Sequence, residues 1–211
     1  MPPNEAVICC IIARHGRTVL NADGRFRGNA NPELDSVGIK QAHDLAKLIE
    51  PLQISHIFCS DKIRSTRTAE IIGQASKTPI HKSEGLRALD VGNFSGQKRT
   101  PESEAALQVY IDSPSTTIPG GESLQNFQDR IGPCLQEAVN IFLKCGRPPL
   151  LVAHSSVVHE AGNLIHGDHK SVLVEPGGAI ALYFLNGKLG AEPIFRPLPK
   201  VQQGSQAETI T

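Results

Sequence analysis

The 211-residue chain carries 21 basic and 21 acidic side chains, so its formal net charge is +0 with neutral histidines. That length suits one domain with a core large enough to need neither disulfide nor structural metal. The charge balance excludes a global attraction to nucleic acid or to an anionic membrane.

The five cysteines, Cys9, Cys10, Cys59, Cys134 and Cys145, make no Cys-X-X-Cys pair and read as free thiols of a reducing compartment. Ahead of the first apolar run there is no basic leader, and Arg14 and His15 end that run after about seven residues. A membrane span or signal peptide is not expected, and a cytoplasmic location is the default.

Residues 7–13 are apolar throughout, as in a strand buried on both faces of an α/β sheet. Residues 16–35 are polar and read as a long loop of the functional kind. Ala42, Leu45, Ala46 and Ile49 recur at helical spacing until Pro51, so residues 37–49 predict a helix. Residues 54–59 read as a second buried strand, Ser60-Asp61 as its turn, and Ala69, Ile72 and Ala75 as a following helix. Residues 82–123 are punctuated by Gly and Pro, with a short helix expected over 102–111. Ser123 suits the cap of a long helix through Phe127, Ile131, Leu135, Ala138 and Phe142, which Pro133 either bends or divides. A strand over 150–153 ends at His154, a helix follows through Val157, Ala161 and Leu164, and a late strand over 179–185 meets the turn signal Asn186-Gly187. The alternation predicts one α/β domain over residues 1–200 with a mostly parallel sheet, followed by a loose tail at 201–211.

Three of these strands end at residues that carry chemistry: Arg14-His15-Gly16, Ser60-Asp61 with Arg64 one turn on, and His154-Ser155. In parallel sheets ligands sit beyond the C-terminal strand ends, so two histidines and two arginines converge there by topology. Arginine offers charged donors matched to phosphate oxygens. A neutral imidazole can attack phosphorus, and a second one can donate to the transition state. A carboxylic acid would protonate the departing oxygen. His159, Glu160, His166 and His169 fit no strong metal site. No P-loop, no Gly-X-Ser-X-Gly elbow and no thiol-phosphatase spacing after Cys59 competes.

Arg14-His15-Gly16-Arg17-Thr18 resembles the RHGxT signature of the histidine phosphatase superfamily, the phosphoglycerate mutase-like proteins. The resemblance continues, in family order over roughly residues 8–185, through Asn21, Arg25-Phe26-Arg27-Gly28, Pro32-Glu33-Leu34-Asp35, Gly38 and Gln41-Ala42. Further on, Ser60-Asp61-Lys62-Ile63-Arg64 with Thr68-Ala69, Leu86-Arg87 with Gly92 and Gly96, Gly121-Glu122-Ser123, and Val152-Ala153-His154 are similar to later family motifs.

The resemblance implies a three-layer α/β/α sandwich and catalysis without metal or other cofactor. It makes His15 the phosphorylated nucleophile, with Arg14, Arg64 and His154 around the phosphoryl group and Asn21 bonded to it. The family's acid stands where this chain has Ala88. Asp90 is the nearest carboxyl, with Glu84 and Glu160 as further candidates for the acid. Ser155 replaces the glycine that commonly follows the second histidine. A phosphatase acting on a small phosphorylated metabolite is the leading expectation. A phosphoglycerate mutase is second, disfavoured because its pocket-covering insertion is largely lacking, and a noncatalytic phosphate-binding module is third. No nucleic-acid or membrane partner is expected, and the oligomeric state is not legible.

Overall fold

A computed structural model describes residues 2–3, 5–27, 30–166 and 174–194. The tail expected at 201–211, Gly28 and His169 lie outside them. The strands are β1 (Val7–Arg14), β2 (Ile57–Ser60), β3 (Ile80–Ser83), β4 (Leu150–Ala153), β5 (Ala179–Leu185) and β6 (Lys188–Ile194). The α-helices are α1 (Val19–Ala22), α2 (Ser36–Ile49), α3 (Ile63–Ser76), α4 (Pro101–Ile111), α5 (Leu124–Cys145) and α6 (Ser155–His166).

The strands form one sheet in the order β3-β2-β4-β1-β5-β6. The first four run parallel, while β5 and β6 are antiparallel to their neighbours. Arg14 pairs with Ala153 in the β1–β4 register, so the ends of β1 and β4 lie side by side.

Period-two alternation divides the apolar strands between two cores. Ile11 and Ala13 of β1 and Leu150 and Val152 of β4 pack with Leu45 and Ile49 of α2 and Ala69 and Ile72 of α3. Cys10, Ile12, Leu151 and Ala153 face the other way, onto Phe127, Ile131 and Ala138 of α5 and Val157, Val158 and Ala161 of α6. The result is the expected three-layer α/β/α sandwich with a mostly parallel sheet. Each fully buried Ile, Leu or Phe contributes roughly 1.5–3 kcal/mol. An exposed pair such as Lys40–Asp44, with side chains 76% and 52% accessible, adds little, because solvent screens it. The double core therefore holds the strand ends in place.

Several expectations needed adjusting. The second strand begins at Ile57 rather than residue 54, and the long loop contains the single turn α1. Helix α5 continues through Pro133, which lies on its solvent side. There the missing N–H and the ring disturb the helix without opening the core. Two strands were not anticipated. β3 reads IHKS and is partly exposed at one sheet edge, and β6 carries Gly190 and Pro193 at the other. Edge strands tolerate such residues because one side of their backbone is unpaired, so the usual strand signal is weak.

The chain after β1 lies directly on the start of α2. Asp35 caps that helix by accepting from the Gly38 N–H at 2.8 Å, and its other oxygen accepts from Arg17 Nε at 2.8 Å. The Arg17 N–H donates to Gln41 Oε1 at 2.8 Å. A Cβ on Gly16 would stand 2.3 Å from the Gly38 carbonyl oxygen, and one on Gly38 would stand 2.1 Å from that of Arg17. Backbone meets backbone here, and no side chain can move aside. Gly38→Ala is expected to lower stability by roughly 1–3 kcal/mol, as overpacking does. The check is the urea midpoint, and an unaltered midpoint would show that the loop yields freely.

Candidate active site

His15 follows β1, His154 follows β4, and Arg64 sits in the first turn of α3 after β2. Their exposures are 0%, 1% and 1%. The histidine rings meet edge to face with centroids 5.2 Å apart. The Arg64 guanidinium bridges them: Nε donates to His15 Nε2 at 3.1 Å, Nη2 to His154 Nδ1 at 3.2 Å, and Nη1 to the Ala30 carbonyl at 2.9 Å. Two hydroxyls on the same helix fix this hub to the sheet. Ser65 donates to the Val152 carbonyl at 2.5 Å. Thr68 accepts from the Gly16 N–H at 3.1 Å and donates to the Arg64 carbonyl at 2.8 Å.

These contacts set the tautomers. His15 Nδ1 faces the Gly16 carbonyl at 2.7 Å and must carry the hydrogen, leaving the Nε2 lone pair turned to Arg64. His154 Nδ1 receives Arg64, so its Nε2 carries the hydrogen. That Nε2–H is buried without a partner among the described residues, as is Nε of Arg14. Two unsatisfied donors at one place are costly unless a ligand accepts from them.

His154 and Arg14 line a cavity of about 780 Å³, within the range of small-molecule sites. His15 and Arg64 are buried, do not line the cavity, and reach it through the Arg64–His154 contact. Burial first, and then the charges of Arg64, Arg27 and Arg14, hold the His15 imidazole well below its ordinary pKa. Burial and neighbouring His15 do the same to His154. Both rings are therefore neutral at physiological pH. Burial also pushes Arg64 down to about 10.

Arg27 is the residue that sequence reasoning noted only as part of a motif and gave no role. It lines the cavity, and burial followed by the charges of Arg14, Arg64 and Arg99 pushes its pKa down to about 9. Arg99 lines the cavity as well, 4.8 Å above the Phe26 ring and 3.2 Å from Glu104. A sequence signal existed for Arg27 in its spacing from Arg25. For Arg99 none did, because its place depends on the bridge that pairs Arg25 with Lys98.

The other expected residues are placed differently. The Asn21 side-chain Oδ1 accepts from the Thr18 N–H at 3.1 Å and the Thr18 hydroxyl at 2.9 Å, as part of the cap of α1, and Asn21 does not line the cavity. Ala88 does line it. Asp90 does not: its Oδ1 accepts from the Gly92 N–H at 3.0 Å within a tight turn. Glu84 is three-quarters exposed and pairs with Arg87 at 3.0 Å. Among the described residues, the carboxylates on the cavity wall are Glu104, Glu160 and Glu175.

Arg130, which the sequence did not single out, organises the loop ahead of that turn. It donates to the carbonyls of Gly85, Arg87 and Ala88 at 2.9, 2.8 and 2.7 Å, and pairs with Glu122 at 2.6 Å. Glu122 in turn accepts from the Asp90 N–H at 2.8 Å. The described residues contain no cluster of three or more metal-ligating side chains, and no described helix is long and apolar enough to cross a membrane. Cys9, Cys10 and Cys59 are buried thiols, and burial pushes Cys9 up to about 12 and Cys59 to about 11.

Known proteins share this chain's sequence pattern and fold. A probable phosphoglycerate mutase GpmB from Salmonella choleraesuis is 38% identical over 149 residues, covering 68% of this chain and 67% of that protein. The structure of a mycobacterial glucosyl-3-phosphoglycerate phosphatase superposes with a TM-score of 0.73 at 21% identity, covering 87% of this chain and 96% of that one. The protein TTHB049 from Thermus thermophilus gives a TM-score of 0.68 at 27% identity, covering 88% of this chain and 98% of that one. The sequence pattern of branch 1 of the histidine phosphatase superfamily matches residues 10–171, and the chain belongs to that superfamily.

Proposed function

We propose that the protein is a phosphatase that hydrolyses a small-molecule phosphate monoester through a phosphohistidine on His15. The observation that carries this reading is the buried, neutral His15 with its lone pair on Nε2, together with two buried donors, on the cavity-lining Arg14 and His154, that have no partner among the described residues. A phosphoryl group placed there accepts from Arg14 Nε and His154 Nε2–H, while Arg64 turns from His15 Nε2 to the phosphoryl oxygens. His15 Nε2 then forms a bond to phosphorus as the ester P–O bond breaks, and the leaving oxygen takes a proton from solvent. Water attacks the phosphohistidine, the N–P bond breaks, and inorganic phosphate departs. Arg14, Arg27, Arg64 and Arg99 stabilise the charge that develops. Hydrolysis is favoured over return of the phosphoryl group to a product because α4 is the sole α-helix between β3 and α5, and it forms one cavity wall without filling it. No metal takes part in this scheme, and the cytoplasmic setting inferred from free thiols suits a metabolite substrate.

The central test measures phosphate release from a panel of monoesters, alongside transfer between phosphoglycerates. Wild-type protein should release phosphate and form an acid-labile phosphoprotein, and His15→Ala should lose both, with turnover down at least about 10³-fold. Labelling that persists in the variant would remove His15 from the nucleophile's role. Transfer to a phosphoglycerate outpacing release to water would establish a mutase instead.

The acid is tested separately. Asp90 would have to leave its turn with Gly92 to reach the ester, so we assign it to holding that turn. Asp90→Asn is expected to slow an alkyl ester and an activated aryl ester by the same factor. A selective loss of about 10²-fold on the alkyl ester would instead mark Asp90 as the proton donor.

The lowered histidine pKa values also fix a pH dependence. Each imidazole titrates near 6.5 when unfolded and well below that when folded. As pH falls through 6.5 the unfolded chain takes up protons first, so stability declines. Each histidine contributes up to about 1.4 kcal/mol per pH unit in that window. Between pH 7 and 5.5 urea denaturation should show this slope, and His15→Gln should make it shallower by about one proton. Equal slopes in the two proteins would contradict a neutral, buried His15.

A further inference from the structure

Helix α6 begins immediately after His154, and one of its faces lines the cavity beyond the reacting end. Ser155 and Ser156, His159 and Glu160, and Asn163 and Leu164 follow at intervals of four residues, which places them on one side of the helix. Glu160 lies six residues from His154, roughly 9 Å along the helix axis. A carboxylate 5% exposed on a cavity wall needs partners. Those it has are amides: Gln128 Nε2 of α5 donates to Oε1 at 2.7 Å, and Asn163 Nδ2 to Oε2 at 3.5 Å. The same Asn163 amide nitrogen lies 3.1 Å from His159 Nδ1. No ion pair found among the described residues involves Glu160.

Two features of this cluster point to a ligand. The Asn163 amide nitrogen is placed against Glu160 Oε2 and His159 Nδ1, and its Oδ1 is buried with no partner among the described residues. Each Glu160 oxygen also keeps acceptor capacity beyond the one amide bond it receives. The cluster thus presents acceptors, whereas the His154 end of the cavity presents donors. Phe127 and Leu124 of α5 supply an apolar wall beside it.

We propose that Glu160 and Asn163 form a leaving-group subsite, which selects esters whose alcohol portion carries hydrogen-bond donors, as hydroxyls or as an ammonium. The selection rests on the phosphoryl reading only for where the ester's phosphate lies. A hydrogen bond to a carboxylate is stronger than one between neutral groups, so the preference should be roughly tenfold or more. Glu160 is a specificity residue here and not the acid, since both of its oxygens already accept from amide donors of α5 and α6.

The test uses calorimetric binding to the His15→Ala protein, in which turnover is suppressed, with three probes: glycerol 1-phosphate, ethanolamine phosphate and propyl phosphate. Glycerol 1-phosphate or ethanolamine phosphate should bind at least about tenfold tighter than propyl phosphate. Adding Glu160→Gln, or separately Asn163→Ala, should bring that ratio to within about threefold. A purely structural bridge between α5 and α6 would change all three affinities together and leave the ratio intact. Loss of preference for one probe alone identifies the donor as hydroxyl or ammonium. No preference in the His15→Ala protein, no binding of any probe, or a preference that survives both substitutions overturns the subsite. Phosphate release by wild-type protein from an aryl phosphate is measured in parallel. Release without selectivity defeats the subsite alone, and selectivity without release defeats the hydrolytic reading alone.

Discussion

The site depends on one guanidinium. Arg64 is 1% exposed and uses its three nitrogens on three parts of the chain: His15 after β1, His154 after β4, and Ala30 in the loop between α1 and α2. A charge so placed is costly to desolvate, and burial lowers its pKa accordingly. What it provides is geometry. It receives no carboxylate partner among the ion pairs of the described residues, so no carboxylate offsets its charge within the site. It also leaves each imidazole a single tautomer. The hydroxyls of Ser65 and Thr68 keep it in place by tying α3 to β4 and β1.

A second layer of order comes from Arg130 and Glu122. One side chain on α5 gathers three carbonyls of the loop after β3, and its carboxylate partner holds the Asp90 N–H. That loop brings Ala88, Leu89 and Val91 to the cavity wall. The wall beside the histidines is consequently apolar on this side, and its polar groups are supplied by the arginines and by α6.

Much of the fold was legible because strand periodicity and helix spacing agree with the tertiary arrangement. The unbroken apolar run of β1, the cap at Ser123 and the spacing of Ala42, Leu45 and Ile49 each report burial directly. The edge strands β3 and β6 were not legible, since half-exposed edges need neither alternation nor β-branched residues. The positions of His15, Arg64 and His154 could be read because strand ends must converge in a parallel sheet. Those of Arg99 and Arg130 could not, because each reaches the site from a loop or helix face whose rotation only packing decides. Asp90 shows the reverse case. Its nearness in sequence to Ala88 suggested chemistry, while its oxygen was needed by the backbone two residues on.

The periodic face of α6 carries a consequence for how this chain can change over evolutionary time. His154 precedes the helix and is fixed by β4, whereas Glu160 and Asn163 owe their direction to helical phase alone. One residue gained or lost within the first turns of α6 would rotate everything beyond by about 100° and carry both side chains off the cavity wall. Exchange of a side chain at 159, 160, 163 or 164 leaves the phase alone and alters only what the wall presents. Diversification is therefore open by substitution and closed to length variation along this helix, while the imidazole pair at the strand ends is insulated from either.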